Sequence, residues 1–185
     1  MSNPYKDTIF TTQVQLHPSQ LDNDFYNHLK RNLKDKLEGK CYRNYGYIVE
    51  IYAIKEYSEG KIISDNGFSP VLFNVTFSCK LCNVIKDSQL ICRITTVTEQ
   101  IIRCENGPIS IYIPTARINK EKFLMDNNNN LRLKDNKKKM TNADYVKITI
   151  DAQVLEDGNV NIVVLGNLDD IATEKETKMF LNEQF

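Results

Sequence analysis

The chain has 185 residues, 41% apolar and 26% charged, which supports one ordinary core or two small ones and excludes disorder throughout. Its 24 basic and 24 acidic residues cancel, so no global field draws it to nucleic acid or membrane, and such a contact would need a local patch. Five scattered cysteines, an odd number, speak for reduced thiols rather than a disulfide scaffold.

No stretch approaches the roughly 18 apolar residues of a membrane helix. Met1 to Asp7 lacks the apolar run of a signal peptide, so the expectation is an intracellular chain with no membrane association.

Taken in order, Thr8 to Leu16 offers Ile9, Phe10, Val14 and Leu16 as the apolar positions of a first strand, broken by His17-Pro18-Ser19. Leu21, Phe25, Leu29, Leu33 and Leu37 then recur every four residues, predicting a helix with one apolar stripe. Ser19 or Asp22 would cap its start, and Gly39 supplies the left-handed residue at its end. A turn around Tyr45-Gly46 leads into a strand to Ile54, with Tyr47, Val49, Ile51 and Ala53 on one face and Ile48, Glu50, Tyr52 and Ile54 on the other. Ser58-Glu59-Gly60 turns the chain, Lys61-Ile62-Ile63 is a short strand, and Ser64-Asp65-Asn66-Gly67 turns it again. Val71, Phe73, Val75 and Phe77 alternate with Leu72, Asn74, Thr76 and Ser78. Strand, helix and three strands make a two-layer unit, one helix on a small antiparallel sheet.

The second half reads almost entirely as strand. Leu90, Cys92 and Ile94 alternate in one, Ile109, Ile111 and Ile113 in another that Pro114 ends, and Val146, Ile148, Ile150, Ala152 and Val154 in a third. Glu156-Asp157-Gly158-Asn159 turns a hairpin, from which Val160, Ile162 and Val164 return. Short strands at this spacing suggest a small closed barrel. Asp126 to Asn130 is a loop between barrel strands, and the tail after Asp169 has the composition of a short helix. No linker composition separates Ser78 from Val84. The fold class is α+β, with an N-terminal domain over 1–80, an all-β barrel over 81–172 and a tail over 173–185.

Cys79-Lys80-Leu81-Cys82 has the spacing of half a zinc site, which Cys92 and Cys104 would have to complete. No second Cys-x-x-Cys exists, and small cysteines on apolar faces are ordinary core residues, so no metal and no cofactor is expected. His17 and His28 have no Asp or Cys at a catalytic spacing. No glycine-rich phosphate loop is present. A binding or assembly protein is therefore expected rather than an enzyme. The local basic patch comprises Lys120, Lys122, Arg132, Lys134, Lys137, Lys138 and Lys139. It reads either as a solvated loop or as a phosphate-attracting surface beside Tyr112, whose ring would stack a base.

Several strings recur in the order found in one family. They are Leu16-His17-Pro18, Leu37-Glu38-Gly39-Lys40-Cys41, Tyr45-Gly46-Tyr47-Ile48-Val49, Glu59-Gly60-Lys61-Ile62, Asn66-Gly67-Phe68, Val75-Thr76-Phe77, Asn106-Gly107-Pro108 and Gly166-Asn167-Leu168-Asp169-Asp170. The ordered set resembles the large stalk subunit of multisubunit DNA-directed RNA polymerases, which is the seventh subunit of eukaryotic polymerase II and has an archaeal counterpart. The resemblance implies a tip domain followed by an S1-type oligonucleotide-binding (OB) barrel. It also implies docking of the tip on the polymerase core subunits beside the RNA exit channel, a smaller stalk partner subunit and weak contact with single-stranded RNA. Carried over by position, Glu38, Gly39, Tyr45, Gly46, Gly60, Asn66, Gly67 and Phe68 are the docking candidates. The glycines among them have turn-making as their alternative role.

The barrel departs from the family pattern. Thr98-Glu99-Gln100-Ile101-Ile102 stands where a Gly-aromatic pair is usual, and Pro114 and Ala116 replace a serine and a histidine. The RNA candidates that remain are Tyr112, Arg117, Lys120, Lys122, Lys134, Lys137, Lys138 and Lys139. Such divergence, with the Asn, Lys and Ile bias, suits the polymerase of a large DNA virus, acting in virion and host cytoplasm. A diverged cellular subunit, acting in a nucleus, would carry the same pattern. The competing reading is a free-standing S1-barrel RNA-binding factor in translation or RNA decay.

Overall fold

The computed structural model describes residues 3–62, 69–126, 130–135, 138–142 and 144–183. They divide into two units, one of Tyr5–Cys82 with Asp157–Val160, the other of Met1–Pro4, Asn83–Glu156 and Asn161–Phe185.

The first unit contains β1 (Tyr5–Leu16), a 3-10 turn (Pro18–Gln20), α1 (Phe25–Leu37), β2 (Lys40–Tyr42), β3 (Gly46–Tyr57), β4 (Lys61–Ile62) and β5 (Val71–Cys82). The strands form one antiparallel sheet in the order β1-β5-β3-β2, with β4 also beside β5. β1 and β5 pair without a break from Tyr5↔Cys82 to Leu16↔Val71. On β5 the expected alternation holds and runs on, with Val71, Phe73, Val75, Phe77, Cys79 and Leu81 buried. These side chains share a core with Leu29, Leu33 and Leu37 of α1.

Two expectations for this unit are corrected. The helix begins at Phe25, and Leu21 lies before it, 46% exposed. Local polar bonds compete with helix there: His17 caps the Pro18–Gln20 turn, and Asp22 Oδ1 accepts the Asp24 N–H at 2.9 Å. Neither Ser19 nor Asp22 caps α1. Its N-cap is Asp24, which makes no side-chain cap bond. Gly39 ends the helix as expected, at φ +77°.

The second correction concerns β3. Its buried isoleucines are Ile48, Ile51 and Ile54, every third residue. Register shifts against β5 fall between Ile48 and Glu50, Ile51 and Ala53, and Ile54 and Glu56. Each bulge admits an extra residue and restores the next isoleucine to the core face, which strict alternation would have turned outward.

The sheet edges are covered locally. Lys36 Nζ donates to Gln13 O at 2.6 Å and Asn32 Nδ2 to Gln15 O at 2.9 Å, so α1 side chains occupy part of the β1 edge. On β2, Cys41 N–H donates to Asn159 O at 2.7 Å, and Cys41 O accepts the Gly158 N–H at 2.8 Å.

The second unit holds β6 (Gln89–Val97), β7 (Ile101–Asn106), β8 (Ile109–Pro114), a 3-10 turn (Thr115–Arg117), β9 (Phe123–Met125), β10 (Leu131–Leu133), β11 (Tyr145–Val154), β12 (Ile162–Ile171) and α2 (Glu174–Glu183). β6, β7, β8, β11 and β12 close into a barrel in the order β11-β12-β8-β7-β6, with β12 and β8 parallel. Ile94, Ile102, Ile111, Ile148 and Val164 are among its fully buried side chains. This is an OB-type barrel, as expected, and the tail is helical. Val160 stays outside β12 and is 71% exposed. The hairpin of β9 and β10, unforeseen from hydropathy, inserts between β8 and β11 and buries Phe123 and Leu131. Asn127, Asn128 and Asn129 of the asparagine run lie outside the described residues.

Candidate functional site

The docking candidates of the first unit divide by what already engages them. Glu38 follows α1, and its Oε2 accepts the backbone N–H of Ile51 at 2.8 Å while Lys34 Nζ stands 3.2 Å away. The carboxylate therefore ties α1 to β3. Gly39 donates its N–H to Ile48 O at 2.9 Å, and Gly46 sits buried opposite Tyr42. Gly60 is demanded by close approach: a Cβ there would stand 2.5 Å from Val71 Cγ1 and 2.8 Å from Phe73 Cζ. Tyr45 is offered outward, 48% exposed, with its ring 4.9 Å from that of Phe10 and 6.1 Å from that of Tyr42. Asn66, Gly67 and Phe68 lie outside the described residues.

Near the other end of α1, Phe25 packs its ring 5.5 Å from Tyr57 and 5.2 Å from Phe73. Tyr57 is 50% exposed, and Ile62 on β4 is 68% exposed. Neither was among the docking candidates read from the sequence. Their exposure follows from where α1 starts and where β4 pairs, both non-local facts.

The basic candidates of the second unit separate into paired and open charges. Lys122 Nζ meets Asp170 Oδ2 at 2.5 Å, Lys138 Nζ meets Asp144 Oδ1 at 2.9 Å, and Arg117 pairs with Asp151. Arg132 Nε meets Asp126 Oδ2 at 2.8 Å. The charges register this pairing. Hydrogen bonding to Arg117 holds the Asp151 carboxyl below its ordinary range. Burial pushes Asp144 and Asp170 up, but Thr141 with Lys138, and Lys122 with the Ile171 N–H, prevail and hold both below it. Such half-exposed pairs are screened by solvent and hold their cations weakly, so an incoming phosphate can compete for the cation.

Lys120, Lys134 and Lys139 are exposed and carry no ion pair among the described residues. Lys120 and Lys134 flank a shallow groove of about 410 Å³ floored by Ile118, Phe123, Leu124 and Met125. Lys139 borders a separate hollow of about 540 Å³ with Leu131 and Met140. Lys137 lies outside the described residues.

Tyr112 points out of the barrel from β8, because Ile111 and Ile113 point in. The Arg103 guanidinium lies 5.8 Å from its ring centre and 3.6 Å from Glu105 Oε1. Arg103 was not a sequence candidate. Its outward alternation with Ile102 and Cys104 was visible, but the strand pairing that sets it opposite Tyr112 was not.

Cys79 and Cys92 are fully buried on the core faces of β5 and β6, and Cys104 on β7 is buried beside Cys92. Burial pushes the Cys79 thiol up to about 11 and that of Cys82 up to about 12, the reverse of a thiolate ligand. Among the described residues no three His, Cys, Asp or Glu side chains are placed to hold a metal ion, and no helix is long and apolar enough to cross a membrane.

Comparison with known proteins places this geometry. Residues 11–67 match the model of the SHS2 domain found in the N terminus of Rpb7p/Rpc25p/MJ0397. A protein of Acanthamoeba polyphaga mimivirus, provisionally named DNA-directed RNA polymerase subunit L376, is 32% identical over 181 residues, 97% of this chain and 89% of that protein. The DNA-directed RNA polymerase II subunit rpb7 of Dictyostelium discoideum is 29% identical over 105 residues, 57% of this chain and 60% of that protein. The corresponding subunit of Glycine max is 27% identical over 105 residues, 57% of this chain and 58% of that protein.

Proposed function

The chain belongs to the family of the large stalk subunit of multisubunit DNA-directed RNA polymerases, and as such a stalk subunit, we propose, it docks on the polymerase core near the RNA exit channel, assists initiation and guides the transcript. One observation carries this reading: the 32% identity extends over 181 residues and so includes both units. A free-standing RNA-binding factor would share the barrel alone.

In this reading the subunit has no catalytic residues of its own and contributes shape. Residues 1–80 serve as the tip that enters the core, 81–172 as the S1-like domain and 173–185 as a tail. Tyr45 and the segment from Gly60 to Phe68 meet core subunits, while Glu38, Gly39 and Gly46 hold the loops that present them. The barrel adds weak, salt-sensitive contact with single-stranded RNA through Tyr112, Lys120, Lys134 and Lys139. Arg117, Lys122 and Lys138 belong to the same surface, where phosphate must displace the carboxylates described above, and Lys137 is the remaining candidate. A smaller stalk partner subunit completes the assembly. The protein acts wherever its polymerase acts, in virion and host cytoplasm for a viral enzyme and in the nucleus for a cellular one.

The test is affinity purification of the tagged chain from its native source at moderate salt, read by mass spectrometry. The two largest polymerase subunits are expected. Recovery of RNA or ribosomal proteins without them overturns the assignment.

A further inference from the structure

α2 is held to the barrel in an unusual way. Among its described side chains none is fully buried, whereas α1 buries Leu29, Leu33 and Leu37. Its anchors are few. Glu176 Oε1 meets Lys147 Nζ at 2.7 Å, and the ring of Phe180 lies 5.7 Å from that of Tyr145. Thr173 and Glu176 form a capping box at the helix start. Beside these contacts a hollow of about 340 Å³ opens between Glu174 and Thr177 on one side and Lys138 and Tyr145 on the other. A ten-residue helix is marginal by itself, and the described side chains of α2 form no buried stripe, so α2 depends on these contacts with the barrel.

What α2 covers has a definite chemistry. Val146, Ile148 and Ile150 point into the barrel, so Tyr145 and Lys147 point out of β11. Tyr145 pairs with Arg93 on β6, which is exposed and has no ion pair among the described residues. Further round the same outer surface stand Arg103 on β7 and Tyr112 on β8. Cations and tyrosines are thus spread over four successively paired strands, with Glu105 of β7 opposite Arg93 and 3.6 Å from Arg103 as the acidic residue among them. A carboxylate on the lysine and a phenyl ring beside the tyrosine stand where phosphate and base would stand. The Lys147 bond, with those from Thr173, pulls the Glu176 carboxyl down to about 2, so that carboxylate is ionised at neutral pH.

We propose that α2 is a displaceable cover over a strip for single-stranded nucleic acid formed by Tyr145, Lys147 and Arg93, with Glu176 in the place of a phosphate and Phe180 in the place of a base. This rests on the reading that the barrel contacts transcript. A protein helix as occupant would need an apolar socket, and the strip offers one tyrosine ring between two cations.

The full-length chain is titrated with a fluorescently labelled single-stranded RNA at low salt, and anisotropy is read. Glu176→Gln combined with Phe180→Ala is expected to tighten binding about fivefold or more, the effect of freeing one stacking position. Adding Lys147→Ala should abolish the gain. In the wild type, RNA should raise hydrogen–deuterium exchange across residues 174–183, a readout that requires no variant to fold. Unchanged affinity and unchanged exchange overturn the cover. If Lys120→Ala with Lys134→Ala still weakens binding in that case, the transcript reading survives. A gain that persists with Lys147→Ala overturns the strip. A gain confined to capture of a polymerase protein subunit assigns the surface to protein and overturns the proposal. RNA binding by no form overturns both the cover and the transcript contact, while polymerase capture by the wild-type chain is judged separately.

Discussion

Glu38 and Ile51 are joined by a single hydrogen bond, the carboxylate Oε2 accepting the backbone N–H at 2.8 Å. The bond falls at one of the bulges of β3, where the regular ladder with β5 is interrupted. Glu38→Ala would leave that N–H without its partner and is expected to cost about 1 to 3 kcal/mol, read as a lower urea midpoint. Glu38→Gln keeps an acceptor and should recover much of the loss. Polymerase capture by the folded fraction should be unaffected in both. Reduced capture at full folding would instead place Glu38 in the docking surface.

Gly60→Ala forces a methyl group against Val71 and Phe73, whose nearest atoms would stand 2.5 and 2.8 Å away. The side chains must yield, and a loss of about 1 to 3 kcal/mol is expected in chemical denaturation. Gly39→Ala acts through φ +77° alone, since Tyr47 Oη at 3.8 Å leaves room, and should cost about 1 to 2 kcal/mol.

Leu33 is fully buried midway along α1 between the sheet-facing Leu29 and Leu37. Leu33→Ala should destabilise the first unit by about 2 to 5 kcal/mol. Leu21→Ala, at a position the four-residue spacing ranked equal, should change stability by no more than about 0.5 kcal/mol. Equal losses at the two positions would contradict the observed start of the helix.

Open and paired lysines should differ in RNA binding. Replacing Lys120, Lys134 and Lys139 together by alanine should flatten the dependence of log affinity on log salt by about 2, from a slope near 0.7 per single-strand phosphate contact. Replacing Lys122 and Lys138, which start from pairs with Asp170 and Asp144, should flatten it by clearly less than the about 1.4 that two open lysines would give. The opposite order would sink the distinction.

The Glu176 carboxyl sits at about 2 against an ordinary 4.5, chiefly through its bond to Lys147. A depressed carboxyl stabilises the fold fully above its unfolded value, and that stabilisation is lost as pH falls through the folded value. The difference in thermal midpoint between wild type and Glu176→Gln should therefore be constant above about pH 5 and shrink steadily towards pH 2. A constant difference across that range would show that the ion pair with Lys147 does not hold α2.

Much of the architecture was written locally. The stripe of Leu29, Leu33 and Leu37, the alternation of β5 and the inward isoleucines of β8 depend on one period along one segment, which neighbouring residues alone determine. The family strings added the order of the two units. Tertiary structure decided what depends on pairing between distant segments. The bulges that bring Ile48, Ile51 and Ile54 to one face exist only against β5. Lys122 finds Asp170 across 48 residues and Arg117 finds Asp151 across 34, so a run that reads as one basic patch is divided into paired and open charges. Arg103 meets Tyr112, and Tyr145 stands opposite Arg93, only through strand register. Periodicity assigns each side chain to a face, but which charge or ring it meets there is set by strands that the chain reaches only by folding.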